Sequence, residues 1–444
     1  MELPSSVQWA SAIMVLASGT VLALGDGVRA LAAMPAAALL GPIVRVTVGP
    51  MQLHLGDLFL GMLVLLVGGQ VLARPFTPFA SRGFLIALAL LVLLSWYFSV
   101  NAVASLVAIV GLAQLLVVLL LTLQCVRRRE DTRRILLGWI GAVALSSVVV
   151  LVAFLQGRSL LIGVDAERAA TLGLDTAARG LLFRGTFFVT PFIFPLVSAI
   201  LLTLTLLLLD EAGTRRRLFL VCMVPLFAIT ALAMGNLSVM AGTLIGVVTL
   251  VLWSLAFRRA VQRTLLLVMA AVVIAGLLAA ALAQVADPQQ LQLLRERVDD
   301  TTSFDLRVAV WRNVVQYLAQ TPKVFLLGLG PDISIRTPEL PVLRELFLGA
   351  GVQQEAVDSG YLYGALNFGI PALVAALLMA LVVLWRLSRR LLRRADPLAL
   401  AVWVTMVAWL AMCVTQQHGI SKPVFFLAQA LALGERLTPI RWRG

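Results

Sequence analysis

The sequence predicts an all-α, polytopic membrane protein of about twelve transmembrane helices with one large ordered loop on a single face. Three observations carry that expectation. Hydrophobic residues make up 61% of the 444 residues and mean hydropathy is +1.00, against roughly 45–50% apolar usage in soluble domains. Segments near 53–73, 102–124, 186–209, 264–285 and 360–385 each approach the roughly 20 apolar residues that cross a ~30 Å hydrocarbon core. Basic residues are segregated by loop, in clusters at Arg127–Arg134, Arg215–Arg217, Arg258–Arg263 and Arg386–Arg394. Under the positive-inside rule all four clusters face the cytoplasm. A soluble fold is excluded, and the net charge of +13 reports topology rather than nucleic-acid binding.

The elements follow in order. Val7–Leu24 is preceded by Glu2 and by no basic residue, so it is expected to stay in the mature protein as a helix rather than act as a signal peptide. Residues 30–48 are apolar but broken by Pro35, Pro42 and Arg45, which fits either a further crossing or a re-entrant segment. With the clusters inside, 84–100 runs out, 102–124 in, 135–155 out, 186–209 in, 217–234 out, 237–256 in and 264–285 out. The last helices, 360–385, 397–415 and 423–438, return the basic tail Arg441-Trp442-Arg443 to the cytoplasm. The favoured reading has twelve crossings with both termini inside. It divides the chain into N-terminal helices (1–285), a large outer loop (286–358) and C-terminal helices (359–444).

The outer loop carries ten of the chain's 22 acidic residues and seven basic ones. Gln289–Val298 and Leu306–Leu318 read as helical, so an ordered cap is expected, and ordered loops of this length usually serve function. Gating or folding is the plainer alternative. Gly328-Leu329-Gly330 lacks the third glycine of a dinucleotide site, and no phosphate loop accompanies it. Cys125, Cys222 and Cys413 have no spacing suited to a disulfide framework or zinc site. No metal and no cofactor is expected.

Four runs carry a resemblance: Phe183-Arg184-Gly185-Thr186-Phe187; Arg307 with Trp311 and then Leu327-Gly328-Leu329-Gly330; Asp358-Ser359-Gly360-Tyr361-Leu362; and Asn367-Phe368-Gly369-Ile370. In order and spacing, over about residues 180–400, they resemble the O-antigen polymerase and ligase superfamily of membrane glycosyltransferases. The resemblance implies a GT-C-like enzyme in the bacterial inner membrane with a periplasmic active site. It would transfer a glycan from undecaprenyl pyrophosphate to the hydroxyl of an acceptor glycan or lipid. Chain-length regulators or flippases are the implied protein partners.

The chemistry asks for the same residue types. A lipid pyrophosphate leaving group without metal needs fixed cations, and arginine's planar fork holds phosphate oxygens in pairs. Only Lys323 and Lys422 are lysines among the 35 basic residues, and Arg184, Arg307, Arg312, Arg336 and Arg344 lie outside the cytoplasmic clusters. Solvated or salt-bridged loop arginines are the alternative. Arg307 and Trp311 share a helix face at i and i+4, which would lie along the membrane with Trp311 at the headgroup level and Arg307 directed to the pyrophosphate; Trp311 then belongs to the substrate-binding set or is only an interfacial anchor. Asp358 is the candidate base for the acceptor hydroxyl or, with Ser359, only a helix cap. Glu355 and Glu339 stand in reserve. Tyr361 is placed to stack on a sugar, and His418 to bind sugar or phosphate unless it is a polar turn.

Ligases of the family carry histidine where this chain has Asp358, and Ser-Arg-Gly where it has Asn236-Leu237-Ser238-Val239. Both departures favour the polymerase branch. The competing class is a small-solute or inorganic-carbon transporter, which would place ionisable residues at mid-depth among broken helices; the predicted helices carry almost none.

Overall fold

The computed structural model describes residues 26–40, 45–48, 51–72, 78–155, 189–209, 213–234, 237–256, 302–331, 359–394, 396–414 and 424–438, with isolated positions between 269 and 277. The first half holds α1 (Gly27–Leu40), β1 (Arg45–Val48), β2 (Met51–His54), α2 (Leu55–Leu72), α3 (Arg82–Tyr97), α4 (Ala102–Cys125) and α5 (Arg129–Leu155). Next come α6 (Val189–Leu209), α7 (Thr214–Met234) and α8 (Leu237–Ala256), then α9 (Thr302–Gln320) and α10 (Pro322–Leu327). The chain closes with α11 (Gly360–Phe368), α12 (Ile370–Arg393), α13 (Pro397–Met412) and α14 (Val424–Leu437).

The core forms where α6 and α13 meet. Phe192, Phe194, Leu196, Val197, Leu201 and Leu202 of α6 are fully buried, and the helix packs against α5, α7, α8 and α13. Trp409 of α13 donates to Ser198 Oγ at 2.6 Å while its ring meets Phe194 edge-on at 4.8 Å. A second junction gathers three helices around Gln429 of α14. Its amide oxygen accepts from Trp139 Nε1 at 2.6 Å, and its amide nitrogen donates to the Leu31 carbonyl at 3.0 Å. Gly138 lets α5 approach this closely, because a Cβ there would collide with the Ala32 carbonyl of α1.

Outward faces are apolar. On α8, Leu244, Val248 and Leu252 are exposed at four-residue steps. Two described helices, Arg129–Val152 and Ile370–Arg393, are long and apolar enough to cross a membrane, with seven shorter apolar helical stretches beside them.

Charge gathers at one end. Asp396, 2% exposed at its side chain, receives Arg129 at 2.7 Å and Arg390 at 2.6 Å, and its Oδ1 caps α13 through Leu398 N and Ala399 N. Arg216 reaches Glu130 at 3.0 Å. Three of the arginine clusters therefore meet at one end of the bundle, as the loop charges predict; Arg258–Arg263 lies outside the described residues.

The fold is all-α as expected, with one short antiparallel hairpin among the helices at residues 45–54, Arg45 opposite His54 and Val48 opposite Met51. The run Val46-Thr47-Val48 is too short for its periodicity to separate strand from helix. Twelve crossings with both termini inside would put residue 26 at the end away from the arginines, whereas Asp26 pairs with Arg134 at 3.3 Å. From there α1 extends 14 residues, about 21 Å at 1.5 Å per residue, short of a ~30 Å span. One ionisable residue near a helix start is half-buried. Asp57 in the first turn of α2 accepts from Gln114 Nε2 at 2.8 Å, midway along α4.

Candidate functional site

The other end of the bundle holds a second, smaller core. On α9 the residues Val310, Val314 and Leu318 recur at four-residue steps and are buried, with Trp311 and Tyr317 half-buried beside them. They pack on Val324 of α10, on Leu329, and on Ala365 and Leu366 of α11. Pro322 at the first position of α10 turns the chain after α9.

Two of the motif runs meet here. The Leu329 amide donates to the Leu366 carbonyl at 2.8 Å and the Gly330 amide to the Asn367 carbonyl at 3.1 Å. On its other side the Leu329 carbonyl accepts from Val100 N at 3.1 Å, in the turn between α3 and α4. Ser95 Oγ of α3 adds a second donor to the Asn367 carbonyl at 3.0 Å. The Gly-Leu-Gly run, the α11–α12 elbow and the α3–α4 turn thus form one backbone clasp.

Glycine is required in it. Gly328 has φ 72°, ψ −175° and Gly369 φ 83°, ψ 162°, regions almost closed to other residues. A Cβ on Gly328 would strike the Asn367 carbonyl, one on Gly369 the Leu326 carbonyl, and one on Gly330 the Ser99 hydroxyl.

The start of α11 is tied as firmly. Ser359 is its N-cap, accepting from Leu362 N at 3.4 Å, and Gly360 N donates to the Cys413 carbonyl at 2.8 Å. The Tyr361 hydroxyl donates to the Leu410 carbonyl of α13. Asn367, 1% exposed, donates through Nδ2 to the Tyr363 carbonyl at 2.9 Å.

Of the residues predicted for the site, Arg307 lies in α9 one turn before Trp311, Arg312 is exposed, and Tyr361 sits at the start of α11. Asp358, Glu355, Arg184, Arg336 and His418 lie outside the described residues. Sequence reasoning missed Ser95 and Ser99, which meet Asn367 and Gly330 across hundreds of residues. It also left the cap open between Asp358 and Ser359; the side chain that accepts is the serine's.

Residues 218–377 match a family model described as O-antigen ligase. That match supports the O-antigen polymerase/ligase superfamily. The matched segment runs from α7 into α12, so it contains the Gly-Leu-Gly run, the α11–α12 elbow and the helix that carries Arg307. Members of the superfamily are membrane glycosyltransferase-like enzymes, and the family implies lipid-linked glycan substrates. No curated protein matches the chain.

Proposed function

We propose that this protein is an inverting, metal-independent polysaccharide polymerase of the inner membrane. It would take a glycan from undecaprenyl pyrophosphate and join it to an acceptor glycan at the periplasmic face. The observation that carries the reading is the clasp, which fixes the Arg307 helix and the α11 junction after Asp358 on one framework, at the end away from the arginine clusters.

The acceptor oxygen attacks the anomeric carbon as the bond to the pyrophosphate oxygen breaks, inverting that carbon. The departing electron pair stays on pyrophosphate, where Arg307 and Arg184 would offset the charge in bidentate fashion. The hydroxyl proton passes to the Asp358 carboxylate, a positioned base of the kind that contributes about 10²–10⁴-fold. Ser359 supports this role by occupying the α11 cap position itself.

Deleting the gene tests the reading. Single repeat units should accumulate on the lipid carrier; full-length chains on the carrier would indicate the ligase instead, the alternative that the family description and not the Asp358 position favours. The transporter alternative gains the Asp57–Gln114 pair and the short α1. Normal lipid-linked intermediates in the deletion, together with lost solute uptake, would establish it.

A further inference from the structure

The arginine-rich end divides its guanidinium groups into two sets. Arg386 and Arg390 of α12 point inward: Arg386 holds Glu435 at 2.6 Å, Arg390 holds Asp396, and both also donate to carbonyls at the end of α14. Arg389 and Arg393 lie on the same helix but are exposed and face no carboxylate among the described residues. Arg389 stacks its guanidinium 4.8 Å from the centre of the Trp385 ring, and Trp385 is itself 59% exposed.

These residues end a continuous stripe. Val374, Leu378, Leu381, Trp385 and Leu392 are all exposed, and at 100° per residue they fall within one narrow sector of α12, with Arg389 at its edge and Arg393 beside it. From Val374 to Arg389 the stripe runs about 22 Å. Along it apolar residues give way to an indole and then to a cation, the order in which acyl chains, interfacial region and phosphates follow one another in a leaflet.

We propose that this face of α12 is a binding site for an anionic phospholipid of the cytoplasmic leaflet. Its acyl chains would lie along Leu378 and Leu381, its glycerol region against Trp385, and its phosphate between Arg389 and Arg393. On α12 itself the charge is local to this face, since Arg386 and Arg390 are occupied by Glu435 and Asp396. The proposal rests on the membrane part of the reading above and is independent of the glycosyl-transfer chemistry.

The full-length protein is placed in lipid nanodiscs of phosphatidylcholine with a rising fraction of phosphatidylglycerol, and its thermal midpoint is followed; a ligand of the folded state raises it. The midpoint should climb with the anionic fraction and saturate. Arg389→Ala/Arg393→Ala should weaken half-saturation about 25-fold, at about fivefold for each guanidinium near the surface, and Trp385→Ala should weaken it less. Both should match the wild type in pure phosphatidylcholine. Arg215→Ala/Arg217→Ala, which removes equal charge from α7 at the same end, should keep the wild-type response. Equal losses in the two double variants would reduce the effect to diffuse surface charge and overturn the site. So would stabilisation by inorganic phosphate at matched ionic strength, or no response to phosphatidylglycerol. Failure to enter the nanodisc at all would instead overturn the membrane reading.

Discussion

Arg307 occupies the turn before Trp311 on a helix whose buried stripe, Val310, Val314 and Leu318, is anchored to the clasp. If Arg307 binds the donor pyrophosphate as proposed, the bidentate geometry of arginine is favoured over the point charge of lysine. Arg307→Lys should therefore be nearly as defective in polymer production as Arg307→Ala at equal protein level. Near-normal polymer from the lysine variant, measured in cells, would defeat the bidentate argument. Asp358→Asn separates base from scaffold at the next step. Ser359 supplies the α11 cap, so the asparagine variant should fold and bind lipid-linked donor yet lose about 10²-fold or more in turnover. An assay with purified protein and lipid-linked repeats decides, and wild-type turnover would move the role to Glu355.

At the scale of elements, the clasp joins two weak motifs and the α3–α4 turn into one structural unit. Gly328 and Gly369 each sit where a side chain costs roughly 1–3 kcal/mol in backbone strain alone, and each faces a carbonyl that cannot move aside without breaking the Leu329–Leu366 ladder. Gly328→Ala or Gly369→Ala should loosen α9 and α10 from the bundle, seen as faster proteolysis within residues 302–331 and a lower thermal midpoint. Ser95→Ala removes only one hydrogen bond and should cost about 1 kcal/mol. The sequence made the glycines visible as a motif, and the periodicity of 306–318 made α9 visible as a helix, because both are local signals. It did not reveal that Leu329 lies between Val100 and Leu366, since pairing across 229 and 37 residues leaves no local trace. The hairpin at 45–54 escaped for a related reason. Four-residue strands are shorter than the window in which a period can be read, and the interruption at Pro42 suits a re-entrant helix equally well.

Across the whole molecule, α3 is gripped at both ends. At one, Ser95 binds the α11–α12 elbow. At the other, the Glu435 carboxylate of α14 accepts from Ser81 N at 2.9 Å and Ala80 N at 3.1 Å, satisfying amides at the start of α3 that have no helical partner. Glu435 is held by Arg386 at 2.6 Å, with side-chain exposures of 3% and 19%. Loop charges in the sequence foretold which end these residues occupy, but not which arginine meets which carboxylate. Removing one member of a buried pair leaves the other charge uncompensated, at a cost of roughly 3–5 kcal/mol, whereas replacing both with apolar residues is often close to neutral. The helix amides add a complication, because they lose their acceptor in either case. Glu435→Leu should accordingly be strongly destabilising, Arg386→Met/Glu435→Leu should recover most but not all of the loss, and Glu435→Gln should keep an amide oxygen for the α3 start while losing the ion pair. Thermal midpoints of the purified variants give the order: wild type, then the double variant and Glu435→Gln, with Glu435→Leu lowest. If the double variant were no more stable than Glu435→Leu, the carboxylate would act through the α3 amides alone and the ion pair with Arg386 would contribute nothing to the fold.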